Sequence, residues 1–239
     1  MAVAFTDAEK TFVSEASVYR ILKAEGLVTS PAFIVMKAAD TFANPTTAIN
    51  QLWQTDFTYL KVTGWGWFYL STVLDDFSRY IVAWKLCTTM SADDVTATLE
   101  LALQASGLDQ ADADRRPRLL SDNGPSYVAN DLSDWLQAQG MRHTRGKPYH
   151  PMTHSKIERW HLSLKSRILL ENYYLPGDLE RAVADFVDHY NRRSYHESLD
   201  NLAPADVYFG RAARILERRR EIKRKTIELR RRQHFNTAA

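Results

Sequence analysis

A single cysteine, Cys87, stands in 239 residues. An internal disulfide is therefore excluded. A zinc site, which draws on several Cys and His ligands, is disfavoured despite the i, i+4 pair His150 and His154 in a Pro-containing stretch. Cys87 falls in an apolar, strand-like run and reads as a small core residue of a protein kept in a reducing cytoplasm. No apolar run approaches about eighteen residues, which excludes a transmembrane helix and, with it, a membrane role. The N-terminus lacks the basic-then-apolar profile of a secretion signal. Internal repeats and low-complexity tracts are absent, and no Ser, Cys or Tyr stands out as an activated nucleophile.

What is present is enough apolar material, 45% of the chain, to fill the core of one substantial domain with appendages. The net charge of +2 hides an asymmetry. Residues 211–232 carry eleven Lys and Arg against three Glu, which leaves the rest of the chain net acidic. A basic tail on an acidic body points to a polyanionic partner. The alternative is a solvated amphipathic helix, since Ile215, Ile222, Ile227 and Leu229 are interspersed among the charges.

Hydrophobic periodicity predicts a helix over 14–26 and a linker-like stretch over 31–47. Strands follow at 53–62, 67–74 and 79–86, the first two joined by a Gly-containing turn. Ser91 and Asp94 can cap a helix that Gly107 ends. Beyond it come a strand at 118–121, a helix at 131–139, a strand at 141–144, a helix from about 155 to 174 and another at 179–190. The order β-β-β-α-β-α-β-α predicts an α/β fold: an antiparallel meander, then crossovers onto the same mixed five-stranded sheet.

Three acidic residues carry the functional reading. Asp56 lies in WQTDFTYL (53–60), inside a strand, where Asp is disfavoured without a partner or ion. Asp122 lies in LLSDNG (119–124), at the carboxyl end of a strand where ligand groups collect, although Asp-Asn-Gly is also an ordinary turn former. Glu158 lies in KIERW (156–160), in the first turn of a helix whose buried arc is Ile157, Trp160, Leu164 and Ile168. Its i±3 and i±4 neighbours include no Lys or Arg, so the usual surface ion pair is not available. Converging carboxylates repel unless a cation neutralises them. Mg²⁺ suits such a site, and a pair of such ions can activate an attacking oxygen and stabilise a leaving one in phosphodiester chemistry.

Sixty-five residues separate Asp56 from Asp122, and thirty-five separate Asp122 from Glu158. With this spacing and strand order, the chain resembles the integrase-core transposases of bacterial insertion sequences, in the group named after insertion sequence three. VLDDFSRYIVAW (73–84), YNRRSYHESL (190–199) and APADVY (203–208) are similar to further motifs of that family, so the resemblance spans about residues 48–212. It implies an RNase H-like catalytic core over 48–210, with Asp56, Asp122 and Glu158 binding Mg²⁺ or Mn²⁺, as two ions, for DNA cleavage and strand transfer by a DNA 3′-hydroxyl. It also implies double-stranded DNA, both element ends and target, as partner, and a homo-oligomer assembled on that DNA in a nucleoid-associated, cytoplasmic setting. Residues 1–30 resemble part of a helix-turn-helix, so the product of an upstream reading frame is a further expected partner. Two rival readings are a DNA-binding protein derived from a transposase with weak or no catalysis, and an RNase H-like nuclease that only hydrolyses.

The supporting residues rest on weaker signals, and only Lys165 on the resemblance. Lys165 is similar to a helix lysine that contacts element-end DNA, and it lies about 20° and about 10 Å from Glu158 along one helix. Lys156 and Arg159 suit phosphates or a solvated face equally. In the tail, Arg218, Arg219, Arg220, Lys223, Arg224 and Lys225 are candidate phosphate contacts over 211–239. Asp75 can approach the site or form a plain turn, and His196 and Glu197 read as structural. The six Trp residues read as core and packing residues. The sequence before Glu158, PMTHS (151–155), departs from the family, which commonly has Gln and then Asn-Gly or Gln-Gly there, and predicts a stiffer loop.

Overall fold

The computed structural model describes residues 1–28, 46–146 and 155–237. The chain divides into two compact units, Asp40–Tyr208 and a second formed by Met1–Ala39 with Phe209–Ala239.

In the larger unit, β1 (Leu52–Val62), β2 (Gly66–Asp75) and β3 (Ile81–Cys87) form an antiparallel meander. The β1–β2 turn uses Gly64 and Gly66 at φ of 84° and 99°, a conformation that costs other residues strain. β3 starts two residues later than periodicity predicts, because Arg79 takes a left-handed φ of 62° and prolongs the turn. α3 (Ala92–Ser106) then crosses over, with the expected capping box between Ser91 and Asp94 and Gly107 at its end. β4 (Arg118–Ser121) pairs parallel to β1. α4 (Pro125–Val128) and α5 (Asn130–Ala138) lead to β5 (His143–Arg145), parallel to β4. Among the described residues the sheet runs β3-β2-β1-β4-β5, the mixed five-stranded arrangement expected.

Helices cover both faces. On one, Leu60, Val62, Leu70 and Leu74 pack against α6 (Ser155–Ile168) and α7 (Pro176–Arg192) through Trp160, Leu164, Leu179 and Val183. On the other, Trp53, Val73 and Leu119 pack against Val95, Leu99 and Leu103 of α3 and Leu132 and Leu136 of α5. Cys87 is buried, and its thiol is pushed up to about 12 by burial first and by Asp94 next, so it is an inert core group. α6 stops at Ile168, short of the predicted 174. The next core-facing positions are Glu171 and Asn172, so the apolar arc runs out there. Tyr173 is buried instead in the connection, and its carbonyl accepts a bond of 2.8 Å from Thr63 N at the hairpin turn. α8 (Pro204–Tyr208) closes the unit.

The smaller unit contains α1 (Ala2–Glu9), α2 (Glu15–Ala24) and α9 (Ala212–Thr237). The N-terminal segment and the basic tail are two appendages by sequence, but they pack together. Arg219 donates two bonds to Asp7, at 2.9 and 2.7 Å, and Thr226 Oγ1 accepts from Phe12 N at 3.0 Å. Most of the predicted linker, its residues 31–45, lies outside the described residues.

Candidate active site

β1 is paired along its length by β2, but β4 covers its other side only at Leu52–Gln54. Trp53 faces Leu119 and Gln54 faces Leu120. The same parallel register, counted two residues further, sets Asp56 opposite Asp122, just past the end of β4. Strand alternation keeps Asp56 on the face of Gln54, whose side-chain oxygen accepts a bond of 3.2 Å from Ile157 N in α6. Two carboxylates 66 positions apart in sequence thus meet where β4 ends beside the continuing central strand β1, close to the first turns of α6.

The turn after β4 is tightly specified. Asp122 Oδ1 accepts from Gly124 N at 2.9 Å, and Asn123 Nδ2 donates to Gly146 O at 2.8 Å. Gly124 has φ −60°, so the left-handed freedom expected of an Asp-Asn-Gly turn is unused there. Its lack of a side chain matters for another reason, since a Cβ would lie 3.1 Å from Asp122 Oδ1. Tyr127 of α4 is buried next to this turn, with its ring 6.1 Å from that of Phe57. Its phenol is held well above the ordinary range by burial first, then by Asp56, with Asp122 adding to the effect.

α6 is tied to β1 by a buried polar clamp. Asp76, 2% exposed, accepts from Gln54 Nε2 at 2.7 Å and Thr46 Oγ1 at 2.6 Å, and it pairs with Lys156 Nζ at 2.8 Å. Lys156 Nζ also donates to Asp76 O at 2.9 Å. Gln54 in turn receives Ile157 N, one of the helix-start donors that no helical carbonyl can satisfy. One turn on, buried His161 places Nδ1 at 3.5 Å from Asp56 Oδ2, while its Nε2 is buried without a hydrogen-bond partner among the described residues. Glu158 is exposed on the first turn, between the clamp and His161. Among the described residues no three of His, Cys, Asp and Glu group closely enough to hold a metal. The structure therefore juxtaposes Asp56 and Asp122 without closing Glu158 onto them as a cage.

The supporting residues divide. Lys165 places its ammonium 4.1 Å from the centre of the Tyr59 ring. Lys156 is committed to Asp76, neither a solvated charge nor an open phosphate ligand. Arg159 is exposed, and its charge reaches Tyr190 and His196 of the closing segment. In α9, Arg219 is engaged by Asp7, Arg220 pairs with Glu217 at 2.7 Å, and Lys223 lies over the Phe12 ring, while Arg218, Arg224 and Lys225 are exposed. Asp75 forms the turn: its carboxylate accepts from Asn50 N, Ser78 N and Ser78 Oγ. Trp53 and Trp160 are core residues, but Trp65 and Trp67 are exposed, because the hairpin extends past the helices that cover the rest of the sheet. The loop before Glu158, including His150 and His154, lies outside the described residues. Sequence reasoning singled out neither His161 nor Gln54 for the site. The signal for His161 was its place on the buried arc of α6, three residues after Glu158.

The chain is similar to known proteins in sequence and in fold. Two models described as "Integrase core domain" match residues 46–151 and 139–204. The transposase for insertion sequence element IS629 of Shigella sonnei is 29% identical over 162 residues, 66% of this chain and 51% of that protein. Transposase InsF for insertion sequence IS3A of Escherichia coli (strain K12) is 28% identical over 160 residues, 65% of this chain and 52% of that one. The chain thus spans about half the length of these relatives. Among solved structures, a simian T-cell lymphotropic virus intasome in complex with PP2A regulatory subunit B56 gamma superposes with TM-score 0.59 at 21% identity, over 69% of this chain and 56% of that one. The HTLV-2 integrase catalytic core domain in complex with magnesium superposes with TM-score 0.53 at 18% identity, over 67% of this chain and 97% of that one. At these identities the structural likeness speaks for the fold.

Proposed function

Because the chain belongs to the integrase-core family and has its RNase H-like fold, we propose that it cuts and joins DNA as the transposase of a bacterial insertion sequence. The carrying observation is the register that sets Asp56 opposite Asp122 at the open edge of β1. Oxygen donors from two carboxylates suit Mg²⁺ or Mn²⁺, which needs few protein ligands and leaves room for phosphate and water. Asp56 and Asp122 would hold such ions, with Glu158 of α6 as the third carboxylate. When bound, they supply charge neutralisation and polarisation at the phosphate. His161 fixes one oxygen of Asp56, Gly124 N fixes one of Asp122, and the Asp76–Lys156 clamp sets the helix that carries Glu158. These groups would position the carboxylates that face the scissile phosphate; in joining, a DNA 3′-hydroxyl replaces water, and its new bond to phosphorus forms as the bond to the target strand's 3′-oxygen breaks. Double-stranded element ends and target are the substrates, acted on by a homo-oligomer with the product of an upstream frame as an additional partner.

The test is incubation with labelled DNA carrying the inverted repeats that flank the gene, with Mg²⁺. Joined products that vanish in Asp122→Asn support this function. Cleavage without joining identifies a nuclease, and binding without metal-dependent chemistry rules out both enzymes.

A further inference from the structure

The β1–β2 hairpin leaves three aromatic side chains bare: Tyr59 at 57% exposure, Trp65 at 62% and Trp67 at 53%. Tyr59 and Trp67 are diagonal neighbours on one face, with ring centres 5.4 Å apart, edge to face. Each ring carries an ammonium. Lys165 Nζ lies 4.1 Å from the Tyr59 centroid, and Lys61 Nζ lies 6.0 Å from that of Trp67. Bare rings clustered in this way mark a contact surface rather than scattered surface residues.

The patch connects to the carboxylates by two routes. Tyr59 is three residues beyond Asp56, about 10 Å along an extended strand. Lys165 is seven residues beyond Glu158, again about 10 Å along a helix. Alternation puts Tyr59 on the opposite sheet face from Asp56. However, β1 has no partner on its β4 side beyond Gln54 among the described residues, and Lys165 reaches Tyr59 past that open edge.

We propose that Tyr59 and Trp67, flanked by Lys61 and Lys165, form a base-stacking platform for an unpaired stretch of the DNA strand whose phosphate is held at Asp56 and Asp122. The proposal rests on the DNA-processing role given above and adds the state of the DNA: frayed or single-stranded beside the cut. Aromatic faces accept any base, and the lysines attract the phosphates between bases. A separation of about 10 Å corresponds to about three stacked nucleotides. A second copy of the chain fits less well, since a twofold contact through this patch gathers two copies each of Lys61 and Lys165 into one interface.

The experiment compares two labelled DNAs of one sequence, a blunt duplex and a duplex with a short single-stranded overhang, by anisotropy and tryptophan quenching on the full chain. Overhang DNA should bind more tightly than blunt DNA and quench the fluorescence. Tyr59→Ala and Trp67→Ala should each weaken overhang binding about tenfold while leaving blunt binding within about twofold. Tyr59→Phe and Trp67→Phe, which keep a ring, should retain the preference. The platform is overturned by equal overhang binding in wild type and alanine variants, or by equal losses on both DNAs. A change of oligomeric state without a change in DNA preference overturns it as well. The joining assay on the same preparations separates the two readings: joining with silent ring substitutions removes only the platform, whereas ring-dependent overhang binding without metal-dependent cutting removes only the transposase.

Discussion

Asp56 keeps one oxygen bonded to Phe57 N at 2.8 Å and turns the other toward His161 at 3.5 Å. A buried side chain that orients a metal-binding carboxylate typically matters 10–100-fold, so His161→Leu should lower DNA joining by roughly that factor. Its urea midpoint should stay near wild type, because an apolar group can fill the buried site, and a collapse of the midpoint would make the effect structural instead. His196 gives a pH prediction. Its imidazole is pushed down to about 4, by burial first and then by Arg79 and Arg159, against an ordinary 6.5. The unfolded chain therefore binds the proton more readily. Stability from this group is complete above about pH 6.5 and is lost as pH falls toward 4, by at most about 3 kcal/mol and by less once solvent screening of this partly exposed group is counted. His196→Asn should flatten the difference in urea midpoint between pH 7 and pH 4.5, and an unchanged slope would show that His196 is not the responding group.

Among the elements, the first turn of α6 depends most on distant residues. Lys156→Met leaves Asp76 buried with Gln54 and Thr46 but without its cation, which should cost about 3 kcal/mol by chemical denaturation. The same substitution should raise the Mg²⁺ concentration needed for half-maximal joining, because the clamp sets Glu158; Lys156→Arg should restore part of both. Stability loss with unchanged metal dependence would confine the clamp to structure. Strands and helices were largely legible in the sequence, since their apolar periods are local. The spacing 56–122–158 was also legible, but the register that brings Asp56 to Asp122 is a long-range pairing no local pattern encodes. The same limit explains Asp76, which its sequence neighbourhood does not single out, and Trp65 and Trp67, read as core because neither the hairpin's reach nor the cover of the helices is written in the period.

For the whole molecule, the charge asymmetry resolves into distinct roles within the smaller unit. Arg219 is engaged by Asp7, so Arg219→Gln should destabilise the packing of α1 on α9. Arg218, Arg224 and Lys225 are exposed, so changing all three to Gln should reduce the slope of log binding constant against log salt by up to about 2.7 with no loss of stability. An unchanged slope would remove these side chains from the DNA contact. No helix among the described residues is long and apolar enough to cross a membrane. Asp56 and Asp122 should act as one metal-dependent centre for joining DNA. The most direct measurement is formation of joined product from labelled element-end DNA by wild type, Asp56→Asn and Asp122→Asn across a Mg²⁺ titration. Joining by wild type that requires Mg²⁺ and is lost in both variants, with DNA binding retained, is the predicted result; joining that persists in either variant would contradict it.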